Sequence, residues 1–240
     1  MKHQQGFTLI ELAIVLVIVT ILVGGLAMPL SAQIQARRIA ETRNTLAEAR
    51  EALLGYAMTH PATSLATNRY LPCPDSDGDG VENRVSNAQC STYHGWLPWV
   101  DLGAAAQDAW GNRIRYAVVR EFIERSNGFS ASSPALAPGG YNPLAVCTTA
   151  TCTSADVATN VVFVLVSHGP NGWGARNVNG NTLAAPTGLD EVGNLDNTNL
   201  IYISRAPTEP DSSSGEFDDL VVWTSHSHLI ARVCPTGCSP

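Results

Sequence analysis

Lysine is nearly missing from this chain: Lys2 is the only one, and every later cation is an arginine. No basic patch exists either, because 14 Lys and Arg stand against 21 Asp and Glu for a net charge of −7. That balance argues against nucleic acid as a partner, which would call for clustered positive charge. Also absent are a nucleophile elbow, an HExxH helix and a phosphate-binding glycine loop. Ser167-His168-Gly169 and His226-Ser227-His228 are the only polar groups that tempt a catalytic reading. Scattered surface histidines are far commoner, so the chain reads as no enzyme. No internal repeat is evident, and no CxxC pair occurs.

The six cysteines are Cys73, Cys90, Cys147, Cys152, Cys234 and Cys238. An even count beyond an export-type terminus points to an oxidising compartment and disulfides. Neighbour pairing is favoured, because each neighbouring pair sits in a Gly/Pro/Ser/Thr-rich turn region. The rival is zinc, since Cys147-x4-Cys152 and Cys234-x3-Cys238 are loosely compatible with ligand spacing.

The chain does have one long apolar run. From Phe7 to Leu30 it is interrupted only by Thr8, Glu11, Thr20 and the small or helix-breaking Gly24, Gly25 and Pro29. At 1.5 Å per residue, about 20 apolar residues cross a hydrocarbon core of about 30 Å. Such a segment belongs in a membrane, and Glu11 needs an explanation there. A carboxylate inside the bilayer costs several kcal/mol and tends to be kept for a function with a partner charge. A rival reading is an export signal cut after Leu30-Ser31-Ala32; no cysteine near the end of the run marks a lipoprotein.

Gly24, Gly25 and Pro29 predict a kink or local melting. From Ser31 to Met58 a helical pattern resumes. Ile34, Ile39, Leu46, Leu53 and Tyr56 form its apolar stripe, filled in by Ala32, Ala36, Ala49 and Ala57. A helix from Phe7 to Met58 would be about 78 Å long, and His60-Pro61 ends it.

Gly6 followed by Phe7-Thr8-Leu9-Ile10-Glu11 and an apolar helix resembles the class III signal of type IV pilins and type II secretion pseudopilins. The resemblance implies cleavage by a membrane prepilin peptidase between Gly6 and Phe7, and N-methylation of Phe7. Glu11 then becomes the fifth mature residue, which that family uses for assembly. Paired with a neighbouring subunit's terminal amine, Glu11 would neutralise two charges that are each costly when buried alone.

Asp75, Asp77 and Asp79 with Gly80 open like a calcium loop, with alternating carboxylates and a glycine at the sharp turn. The twelfth position is Ser86 rather than a glutamate. Trp96-Leu97-Pro98-Trp99-Val100 reads as core or helix-packing surface rather than a ligand platform. Asp108-Ala109-Trp110-Gly111-Asn112, ahead of a strand from Arg113 to Val119, resembles the D-x-W-G-N turn of major pseudopilins. In that turn Asp and Asn brace the backbone and Trp fills the core. Ser126 to Asp156 reads as irregular surface. Val161 to Val166, Leu200 to Ser204 and Leu220 to Trp223 read as strands. The pseudopilin resemblance implies a second candidate calcium loop, for which Asp190, Glu191, Asp196, Asp218 and Asp219 are available.

The expected fold is α+β and pilin-like: a long N-terminal helix on a small antiparallel sheet, with disulfide-stapled loops. The expected divisions are a leader over 1–6, a membrane or filament-core helix over 7–30, its amphipathic continuation over 31–58, and a periplasmic globular domain over 59–240. The expected partners are other pilin or pseudopilin subunits, the prepilin peptidase and the bacterial inner membrane. Calcium is the one candidate cofactor. The alternative is a soluble exported or membrane-anchored periplasmic binding protein that never polymerises.

Overall fold

The computed structural model describes residues 8–132, 134, 141–198, 200–236 and 238, with backbone alone for 25–29. Two compact units divide the chain, Met1–Ala40 and Glu41–Pro240. The first helix, α1 (Leu9–Thr59), continues through Gly24, Gly25 and Pro29. Local melting at these residues is therefore not found. Helix propagation is cooperative, and good helix formers on both sides carry the backbone through a few weak positions.

In the first unit most of the described side chains of α1 are exposed, with Leu9 at 87% and Leu16 at 65%, while Gln35 and Ile39 are half-buried. Among the described residues no helix is long and apolar enough to cross a membrane. The described apolar side chains of this run stop at Val23 and resume at Leu30. Ile34, expected in the apolar stripe, is exposed as well; the fully buried residues described on α1 begin at Thr42.

There Thr42, Leu46, Ala49, Leu53, Leu54 and Ala57 are all buried. Their spacings of three and four residues place them along one helix face. The apolar ones join a core drawn from strands, helices and loops, including Tyr116, Phe122, Phe129, Phe163 and Leu229. After α1, Tyr56 stacks on His60 at 3.8 Å between ring centres, and Pro61 stops the helix.

A short hairpin follows, β1 (Arg84–Ser86) with β2 (Gln89–Cys90), then β3 (His94–Trp96) and a single turn α2 (Trp99–Leu102). The main sheet adds β4 (Arg115–Val118), β5 (Leu144–Cys147), β6 (Ala158–Ser167), β7 (Ile201–Ile203) and β8 (Leu220–Ser225). Two further helices are α3 (Leu189–Leu195) and α4 (His226–Val233). The order is β3-β4-β6-β5-β7, with β8 also on β6. All pairings are antiparallel except β5 with β7. From Val161 to Ser167 strand β6 is buried throughout, which explains its unbroken apolar run. Strand β5 lies inside the stretch expected to be irregular. Its four residues form no pattern long enough to stand out among Ser, Pro and Thr.

The disulfides are Cys73–Cys90, Cys147–Cys152 and Cys234–Cys238. Neighbour pairing holds, and the zinc reading is overturned because every thiol is used in a disulfide.

The turn before β4 is braced by Asp108, which is 3% exposed. Its Oδ1 accepts the Trp110 and Asn112 N–H groups, and its Oδ2 accepts the Ser167 hydroxyl at 2.7 Å. Gly111 takes φ +85°, a backbone angle that glycine adopts without strain. Trp110 does not fill the core as expected. It is half-buried, and the Ala109 N–H beside it instead donates to Thr42 Oγ1 on α1 at 3.2 Å.

Candidate functional site

Three places gather the side chains singled out by the sequence. The first is the start of α1. Thr8 occupies the position before the first helical residue, and Glu11 lies three residues on. Glu11 Oε2 accepts the Thr8 N–H at 2.8 Å and the Thr8 hydroxyl at 2.8 Å. In return the Glu11 N–H donates to Thr8 Oγ1 at 3.4 Å. This is a reciprocal capping box, in which two otherwise open N–H groups are satisfied and a carboxylate sits at the positive end of the helix. The T-x-x-E spacing announces it in the sequence, yet the reading of Glu11 as an assembly contact passed over Thr8. Gly6 and Phe7, the expected cleavage and methylation residues, lie outside the described residues.

The second place is the loop after Cys73. Asp75, Asp77 and Asp79 come together there, with one carboxylate oxygen of each within 4.8 Å of the others. Their oxygens are largely committed to the loop's own backbone. Asp75 Oδ1 accepts from the Asp77 and Gly78 N–H groups, and its Oδ2 from Gly80. Asp77 and Asp79 accept from the N–H groups of Asp79 and Val81. The Arg176 guanidinium donates to the Asp77 carbonyl at 2.9 Å, so a fixed cation already sits against the loop.

The third place brings Glu191 of α3 beside Asp218 and Asp219, with one oxygen of each again within 4.8 Å. Glu191 is 2% exposed and Asp219 6%. Glu191 Oε1 accepts from the Asn171 side chain and the Asp218 N–H, both at 3.1 Å. Asp219 is held by the His168 ring at 3.2 Å and by Asn194 Nδ2 at 2.8 Å. Asp218 Oδ2 accepts the Asn171 N–H, whereas its Oδ1 is buried without a partner. Burial pushes the Asp218 carboxyl up to about 7, and the neighbouring Glu191, Asp219 and Glu216 charges add to the rise. Glu191 is raised by burial too.

Three crowded carboxylates with one orphaned oxygen fit a hard divalent cation, which takes oxygen ligands and offsets their repulsion. Of the other candidates in this half, Asp190 is paired with Arg205 at 2.8 Å. Asp196 accepts from Thr198. Neither joins the cluster. Ser167 and His168 do not form a catalytic pair, since the hydroxyl goes to Asp108 and the ring to Asp219.

Comparison with known proteins bears on the first place alone. The family model described as the prokaryotic N-terminal methylation motif matches residues 1–27. Neither the curated proteins nor the solved structures gave a match.

Proposed function

With a methylation-type N-terminus as the premise, we propose that this chain is a structural subunit of a type IV pilus or a type II secretion pseudopilus. The observation that carries the reading is the motif over residues 1–27; within it Glu11 stands five residues after Gly6 in the sequence. Prepilin peptidase removes 1–6 on the cytoplasmic side of the inner membrane, and Phe7 becomes the methylated terminus. The apolar half of α1 then leaves the bilayer for a filament core, with the second unit on the periplasmic side and outside the filament. Glu11 meets the terminal amine of a neighbouring subunit, where the two charges neutralise each other in an apolar setting. A chain of 240 residues with long loops suits a minor subunit.

Mass spectrometry of the mature N-terminus tests this directly. Methyl-Phe7 is expected. Gln33 at the terminus would mean an exported soluble protein, and an intact Met1 would leave only an anchor. Glu11→Val is expected to be cleaved normally yet to be lost from sheared filaments, and normal incorporation would remove the charge-pairing role.

We propose as well that Glu191, Asp218 and Asp219 hold a calcium ion, with the buried Asp218 Oδ1 as the supporting feature. The ion would tie α3 to the segment leading into β8. It serves stability rather than chemistry.

A further inference from the structure

Of the cluster expected to be core or helix-packing surface, Leu97 is buried in the core, while Trp96 and Trp99 on either side of it remain half-buried. Each carries an arginine instead. Arg176 lies over the Trp96 ring with its Cζ 4.6 Å from the centroid, and Arg113 lies over Trp99 at 3.9 Å. Both guanidiniums are thereby held in place before any ligand arrives, which lowers the cost of ordering them.

Each guanidinium has five N–H donors, and the observed bonds take few of them. Arg113 Nη1 donates to the Ala106 carbonyl at 3.1 Å, and Arg176 Nη1 to the Asp77 carbonyl at 2.9 Å. A third cation, Arg115 at the start of β4, donates to the Leu195 carbonyl at 2.7 Å and to Asn197. Its Nε–H is buried without an acceptor. Among the described residues none of the three arginines is in an ion pair. With Trp96, His168 and Thr182 they line a pocket of about 190 Å³.

In a chain with seven more acids than bases, three arginines around one hollow with no ion pair among the described residues are unusual. Arg113 is pushed below its ordinary value, chiefly by burial and further by the Arg176 charge, against the pull of Asp75. Arg113 and Arg176 thus repel each other, whereas Arg115 is lowered by burial and feels the Tyr202, Asp219 and Asp196 groups in the opposite sense.

We propose that this pocket binds a small oxyanion, a carboxylate or phosphate group that accepts from Arg113 and Arg176 beside Trp96. The arginine fork matches the planar carboxylate and the phosphate edge. Drug-sized ligands take about 300–1,000 Å³, so this smaller hollow suits one acid group on a carrier the size of a single sugar.

The test uses the full chain in detergent, titrated with glucuronate, with inorganic phosphate and with neutral glucose at constant ionic strength. Melting temperature and tryptophan emission are read together. One or both anions should raise the melting temperature saturably and change the emission with the same midpoint, while glucose does neither. The stronger of glucuronate and phosphate identifies the kind of acid group. Because charge-assisted hydrogen bonds contribute strongly, Arg113→Gln with Arg176→Gln should move the midpoint at least about tenfold. The wild-type emission titration stands even if that variant folds poorly. No saturable response to either anion, an equal response to glucose, or an unchanged midpoint in a folded double variant would overturn the proposal.

Discussion

At Asp218 one carboxylate oxygen takes the Asn171 N–H, and the other is buried with no donor. Its carboxyl sits at about 7 in the folded chain against 3.8 for the ordinary side chain. The folded state therefore holds this proton more tightly than the unfolded state. The stability it contributes is complete below the unfolded value and is lost as pH rises through the folded one. With a chelator present, melting temperature should fall between about pH 4 and about pH 7. Calcium at about pH 8 should restore it. Asp218→Asn should flatten the pH slope and abolish the calcium response. A slope that persists unchanged in that variant would show that other groups set it. The acidic residues of this site stand plainly in the sequence, but their grouping does not. Glu191 is 27 residues from Asp218, and only the packing of α3 selects it over Asp190, which Arg205 has taken.

Among the elements, those with long apolar runs were readable in advance. Strand β6 announced itself through Val161 to Val166, and the helix end through His60-Pro61. Strand β5, with four residues, did not, because its place is decided by pairing with β6 and β7 rather than by its own pattern. The turn before β4 was readable as a turn, yet its anchorage was hidden. Asp108 reaches Ser167 at the end of β6, and the Ala109 N–H reaches Thr42 on α1. Asp108→Ala leaves a half-buried donor at Trp110 and a buried one at Asn112 without their acceptor, and a buried donor left so costs about 1–3 kcal/mol. Urea unfolding should show a loss of about 2–4 kcal/mol in total. A loss below about 0.5 kcal/mol, the size of an ordinary surface change, would mean the turn is held by other contacts. The arginines on Trp96 and Trp99 were likewise out of reach of the sequence, since Arg176 lies 80 residues from Trp96.

For the whole molecule, the disulfides each close a short loop of the second unit. Cys73–Cys90 spans 17 residues and encloses both the acidic loop and the β1–β2 hairpin. A loop of that length is stabilised by about 3 kcal/mol on the chain-entropy account. Replacing both cysteines by serine should lower the melting temperature and open this region first, read as faster amide exchange over residues 74–89 than in the sheet. Uniform loss of protection across the sheet would instead make the bond a determinant of the entire fold.

The capping box at the start of α1 also bears on how a filament of such subunits would behave. Glu11 is already served by Thr8 before any neighbour is present. Its transfer to a neighbour's amine would be an exchange between two satisfied states rather than the capture of a bare charge. An exchange gives a small net free energy and leaves the reverse step open. Gain and loss of subunits would then run near balance.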